Sequence, residues 1–215
     1  MITDSNGDKE SIPVEKGFVN GVYSAVDEAT TCELERLHDE DGITATCELG
    51  CSHCCHYHIL ANITEADTLA QYVKDELSED QIKALQMRTK QWHEWDNSGP
   101  GRYQSANIET NTDLSDYVHC CPMLVDGKCC AYPVRPVVCR THFVSSSALN
   151  CSAVNDPDAH EDSPVVLKSV VTAADPFINE IKNHIEKSGL DFSRSKMLLP
   201  HWLAIKMGWD FAISV

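Results

Sequence analysis

Residues 47–55 read Cys47-Glu48-Leu49-Gly50-Cys51-Ser52-His53-Cys54-Cys55, and they hold the chain's first dense group of sulfur ligands. Two intervening residues between Cys51 and Cys54 let a tight turn aim both sulfurs at one ion, the spacing that thiolate metal sites use. Cys47, four residues before Cys51, shares their face if the segment is helical. Adjacent Cys54 and Cys55 point in different directions. They serve different ions, different atoms of a cluster, or one ion and one role that is not ligation. Gly50 supplies backbone freedom at the turn.

A second group runs through Cys121-Pro122-Met123-Leu124-Val125-Asp126-Gly127-Lys128-Cys129-Cys130 and on to Cys139, with Cys151 a dozen residues later. Asp126-Gly127 predicts a hairpin turn, which would bring Cys121 and Cys129 together. Arg135 and Arg140 bracket Cys139. They are placed either to donate hydrogen bonds to anionic sulfurs or to pair with some of the many surface acids.

Eleven cysteines in 215 residues allow disulfides, metal ligation or redox chemistry. A chain of this length builds a core without staples. The first residues show neither a basic region nor an apolar run of the kind a secretory signal needs, so a reducing cytoplasm is the expected compartment. Clustered thiols there are metal ligands or catalytic groups more often than disulfides. No apolar stretch approaches the length of a membrane span, so no membrane partner is expected. The net charge of −16, from 17 basic and 33 acidic residues, argues against a nucleic-acid surface. A protein partner or substrate stays open and unidentified.

The elements that must position these cysteines read as mainly α: a small irregular helical fold with cysteine-bearing loops and one short hairpin. Residues 1–43 read as an acidic N-terminal arm, loosely held to about residue 30, with a short helix over 31–39. Residues 44–152 form the cysteine-cluster domain. In it, Thr64-Glu65-Ala66-Asp67 predicts a capped helix over about 65–76, with Leu69, Tyr72, Val73 and Leu77 on one face. Ser78-Glu79-Asp80-Gln81 opens another over about 79–96, stopped by the Gly-Pro-Gly at 99–101, and residues 102–118 read as an irregular loop. Residues 153–215 comprise an acidic linker and C-terminal helices, with helical spacing at Val170, Ala174, Phe177, Ile178, Ile181 and Ile185 closed by Gly189. The tryptophans at 92, 95, 202 and 209 lie in helical patterns and read as core aromatics.

The run C-x3-C-x2-C-C at Cys47, Cys51, Cys54 and Cys55, followed by C-P-x-L-x2-G-x-C-x2-Y-x2-R-P-x2-C-R over residues 121–140, resembles the CxxCxxCC family of zinc- or iron-chelating domains. More distantly, it resembles the metal-binding part of flagellin lysine-N-methylase. The likeness covers about residues 44–152. It implies eight metal ligands: Cys47, Cys51, Cys54, Cys55, Cys121, Cys129, Cys139 and Cys151. Cys32, Cys120 and Cys130 are then extras, either small buried hydrophobes or alternative ligands. One departure is C-x3-C at the start, where many members have C-x2-C. No glycine-rich methyl-donor loop follows a strand, so a methylase role has only the resemblance behind it.

Eight thiolates suit two zinc sites of four each, one four-iron iron–sulfur cluster with spare cysteines, or two clusters. Soft sulfur excludes magnesium and calcium. The vicinal Cys54-Cys55 pair and Cys121-Pro122 are similar to iron–sulfur loops and favour iron, with zinc the alternative. His53, His56, His58 and His142 flank the clusters as further donors or as ordinary surface or core residues. No Ser-His-Asp set, phosphate loop or H-E-x-x-H helix points to a hydrolase or kinase. Two functional classes stay open: an iron or iron–sulfur protein with a redox or protein-modification role, and a zinc-stapled interaction module without catalysis.

Overall fold

The structure, a computed structural model, describes residues 17–48, 50–98, 119–153 and 161–211. The arm's first sixteen residues, the loop at 102–118 and the stop signal at 99–101 lie outside them.

The first element is much longer than the sequence suggests. Helix α1 spans Phe18–Asp41 and includes residues 18–30 of the stretch read as a loose arm, so the short helix expected over 31–39 is only part of its C-terminal half. Val19, Val22, Tyr23 and Val26 recur at helical spacing and are buried, which turns one stripe of α1 inward. Its end is closed by Gly42 at φ 67°, whose amide bonds back to the Leu37 carbonyl, a left-handed cap that suits glycine.

Helix α2 (Ile63–Glu76) begins with a reciprocal cap, but the capping residue is Asn62 rather than Thr64. The Asn62 side chain accepts from the amides of Thr64 and Glu65 at 3.1 and 3.0 Å. Glu65 Oε2 in return accepts from the Asn62 amide at 3.1 Å. Helix α3 (Glu79–Ser98) opens as predicted, with Gln81 N donating to Ser78 Oγ and Ser78 N donating to Gln81 Oε1.

The hairpin is present. Strands β2 (Leu124–Val125) and β3 (Lys128–Cys129) pair antiparallel with Leu124 opposite Cys129. Asp126 and Gly127 both have positive φ, 49° and 74°, the geometry that matches a two-residue turn to strand twist. Short helices α4 (Val137–Thr141) and α5 (Ala148–Ala153) follow.

The spacing from Val170 to Ile185 resolves into two helices, α6 (Lys168–Ala173) and α7 (Asp175–Lys187). The chain breaks at Ala174 because Pro176 sits in the first turn of α7, where its missing amide costs nothing. One strand pair has no signal in the sequence: β1 (Leu60–Asn62) runs antiparallel to β4 (Lys196–Leu198), and β4 leads directly into α8 (Leu199–Met207).

Among the described residues the architecture is thus eight α-helices with two short antiparallel strand pairs, a mainly α fold. Helix α8 packs on α2 and α3, while α1 packs on α4, α6 and α7. Trp202 of α8 fills the centre and donates its indole N–H to the Ala61 carbonyl at 2.9 Å. Where α3 meets α8, three polar side chains are buried together: His201 Nε2 stands 3.2 Å from Asp96 Oδ2, and His93 Nε2 stands 3.2 Å from the Pro200 carbonyl. No helix among the described residues is long and apolar enough to cross a membrane.

Candidate metal centre

The two cysteine groups meet on one face of the core. The first is carried by an irregular segment, because Gly50 at φ 100° turns the chain where a helix would have continued. Cys47 therefore does not share a helical face with Cys51, contrary to the expectation from its spacing. Its position is fixed instead from outside, by the neighbouring Thr46 amide donating to the Val144 carbonyl at 2.9 Å. Residues His53–His56 form one 3₁₀ turn. At three residues per turn, successive side chains leave the axis about 120° apart, yet the thiols of Cys54 and Cys55 still meet in a hydrogen bond, contrary to the divergence expected from their adjacency.

The second group is tied to the first through the backbone, the Cys121 amide donating to the Cys55 carbonyl at 2.8 Å. A turn closed from Leu124 N to Cys121 O at 2.9 Å leads into the hairpin, which returns Cys129 beside Cys121. Cys139 lies on α4, whose first amide, that of Val137, donates to buried Glu65 Oε1 at 2.8 Å. Glu65 thereby orients the starts of both α2 and α4. Cys151 lies on α5, which packs on the 3₁₀ turn, and the Tyr57 hydroxyl donates to the Cys151 carbonyl at 3.4 Å.

These segments enclose a cavity of about 470 Å³. Seven cysteines line it: Cys47, Cys51, Cys54, Cys55, Cys121, Cys129 and Cys139. Ile59, Leu69, Met123 and Leu199 contribute apolar wall from the core, and Lys128, Tyr132, Arg135 and His142 contribute polar groups. Cys151 is buried but stands outside the wall, as do Cys120 and Cys130. Cys32 is exposed on α1.

Crowding partly buried thiols together keeps protons on them. Burial pushes Cys121 up to about 12. Burial also raises Cys139 well above the ordinary thiol value, reinforced by the thiols of Cys121, Cys54 and Cys129. Cys54 is the exception. A hydrogen bond from Cys55 lowers it to about 7 against the opposing effect of burial, and the positive charge of Arg135 helps. Cys55, as the donor, is raised correspondingly.

The two arginines have different placements. Arg135 lines the cavity and its charge favours the thiolates of Cys54 and Cys129. Its guanidinium lies 3.8 Å over the Tyr132 ring. Arg140 is buried and directed into the fold: Nε donates to the Arg135 carbonyl at 2.8 Å, and its terminal nitrogens reach Asp27 and the Pro133 carbonyl. It braces the loop that presents Arg135.

Of the flanking histidines, only His142 lines the cavity. Its Nε2 is buried without a hydrogen-bond partner, and burial lowers its pKa, leaving a neutral imidazole. Tyr57 meets its ring edge-on at 5.5 Å. Among the described residues no group of three or more His, Cys, Asp or Glu side chains is gathered closely enough to hold a single metal ion. The sulfurs are spread around a shared space.

No family model matches the chain, and neither a curated protein nor a solved structure matches it. The site's chemistry therefore has to be read from its own residues.

Proposed function

We propose that this protein binds a metal cofactor through the cysteine cavity, and that the cofactor is an iron–sulfur cluster. One observation carries the reading: seven of the eight cysteines in the CxxCxxCC-like pattern, drawn from segments on either side of α2 and α3, line a single cavity. The donor set fits the cofactor. Thiolates are its usual ligands, and crowded, buried thiols, whose thiolates would repel one another, give up their protons when a cation binds the sulfurs.

The spread of the sulfurs favours a cluster over a single zinc ion, since the thiolates of a four-iron cluster bind four different irons whereas one ion requires all its ligands around one point. Such a group supplies reversible one-electron chemistry when bound. The chain's own residues would set its surroundings. Arg135 places positive charge beside the thiolates, and Met123, Leu69 and Leu199 limit water, both of which tune such a centre. A redox or protein-modification role in a reducing compartment, where the thiols stay free to ligate, is the corresponding function.

The burial of Cys121 and its place in the main core favour a second reading, in which zinc simply staples the loops to the helices. One preparation separates the two. The protein is purified without oxygen, its visible spectrum is recorded, and iron, zinc and acid-labile sulfide are quantified. Iron and sulfide together with visible absorption support the cluster. Colourless protein with about two zinc ions per chain, unfolding on chelation, supports the staple.

A further inference from the structure

The cavity holds more than sulfur. Its core-side wall is apolar, with Leu69, Met123 and Leu199 almost fully buried and Ile59 packed against the same core. At about 470 Å³ it has the size of a pocket for a small organic molecule.

Three charged side chains line it. Glu48 and Lys128 are exposed, opposite in sign, and come from the two facing cysteine segments, so their charges offset one another. Arg135 lies deeper, its side chain 17% exposed, and sets the charge of the interior. Its guanidinium is stacked on the Tyr132 ring, and its carbonyl is held by Arg140 Nε at 2.8 Å. Among the described residues the guanidinium spends one hydrogen bond, from Nη1 to the Tyr132 carbonyl at 3.1 Å. Asp27 is 3.9 Å from Nη2, beyond hydrogen-bond distance, and is already engaged by Arg140. Donors are left over. The second observation is His142, whose Nε2 is buried at the same cavity without a hydrogen-bond partner among the described residues. A neutral imidazole can carry its proton on that nitrogen, and a bound acceptor would remove the cost of leaving it unpaired.

We infer that the cavity binds a small organic monocarboxylate, its carboxylate on Arg135 and His142 and its apolar body along Ile59, Leu69, Met123 and Leu199. A planar guanidinium with donors to spare matches a carboxylate through two parallel bonds. One interior cation balances one negative charge, whereas a phosphate group, with about two at neutral pH, would leave charge uncompensated against an apolar wall. None of these residues is a cluster ligand in the reading above, so the inference goes beyond that reading and does not rest on it.

The test titrates sodium octanoate into the full chain, purified without oxygen and with its metal content measured, and reads binding by calorimetry. A single saturable site is expected. Octanamide keeps the apolar body and loses the charge, and it is expected to bind at least about tenfold more weakly. Arg135→Gln, checked for folding by circular dichroism, is expected to weaken octanoate by a similar factor. Lys83→Gln removes the same charge from the exposed surface of α3 and should leave the affinity unchanged. Octanoate should also shield the cavity cysteines from iodoacetamide while exposed Cys32 reacts as before. Absence of saturable binding, equal affinity for octanoate and octanamide, or no shielding of the cavity cysteines would overturn the inference. If Arg135→Gln does not fold, the two probes on the wild-type chain decide the point. Metal present without octanoate binding sinks this inference and leaves the metal reading standing, and octanoate bound by a chain that takes up no metal does the reverse.

Discussion

The backbone amide of Cys121 donates to the carbonyl of Cys55 at 2.8 Å, joining two cysteine segments that are 66 positions apart in sequence and separated by helices α2 and α3. Through that bond the hairpin becomes the far wall of a cavity whose near wall is the 3₁₀ turn. The hairpin's integrity and the cavity's geometry are therefore linked.

Gly127 tests this link. It sits at φ 74°, and a Cβ added there meets nothing within 4 Å, so a side chain is opposed by backbone strain alone. Gly127→Val is expected to cost about 1–3 kcal/mol in urea denaturation and to lower metal content. Gly127→Asn, which tolerates the left-handed region, should cost much less. Equal effects of the two would contradict a strained type I′ turn.

Glu65 accepts from the amides of Asn62 and Val137 and from the Asn62 side chain. Glu65→Ala leaves these donors buried and unpaired, an expected loss of about 2–4 kcal/mol. Because the Val137 amide opens the helix carrying Cys139, metal content should fall with stability. A variant as stable as wild type would refute the anchoring role.

In the reduced, metal-free chain, Cys54 should react before Cys121, Cys129 and Cys139. With its pKa lowered to about 7 and those of Cys121, Cys129 and Cys139 raised, alkylation at neutral pH is expected to be at least about fivefold faster at Cys54 than at Cys129 or Cys139 and more than about a hundredfold faster than at Cys121, its greater thiolate fraction outweighing its weaker nucleophilicity. Cys55→Ala removes the hydrogen bond and should slow that reaction. Mass mapping of the labelled peptides checks both points, and uniform labelling would contradict them.

His93 gives the fold an acid-sensitive element remote from the cysteines. Burial and the neighbouring His201 lower its pKa below the ordinary histidine value, so the folded chain takes the neutral imidazole. Its contribution to stability is then complete above about pH 6.5 and is lost as pH falls below that, with a slope of at most about 1.4 kcal/mol per pH unit. Denaturation midpoints between pH 7.5 and about 5 should show the fall, and His93→Gln should flatten it. A midpoint that rises on acidification would reverse the sign.

Local signals in the sequence carried the hairpin, α3 and the cysteine groupings, because turn chemistry and capping act over a few residues. Helix α1 was not legible over residues 18–30. Gly21 and the β-branched Val19, Val22 and Val26 are weak helix formers, and the helix is held by burying those valines against α4, α6 and α7. The β1–β4 pair joins three residues to three others across more than 130 positions, and no local period announces it. At the site, the resemblance to the CxxCxxCC pattern singled out the cysteines that line the cavity, but the placement of Cys151 outside the wall and the inward turn of Arg140 toward Asp27 depend on packing between distant segments.

The central claim is that the cysteine cavity binds metal, and native mass spectrometry of the protein purified without oxygen tests it most directly. The expected result is a mass above that of the 23.9 kDa chain by a whole-number complement of iron and sulfide, lost on acidification. A species at the mass of the bare chain, still folded and still without metal after anaerobic reconstitution with iron and sulfide or with zinc, would contradict the account.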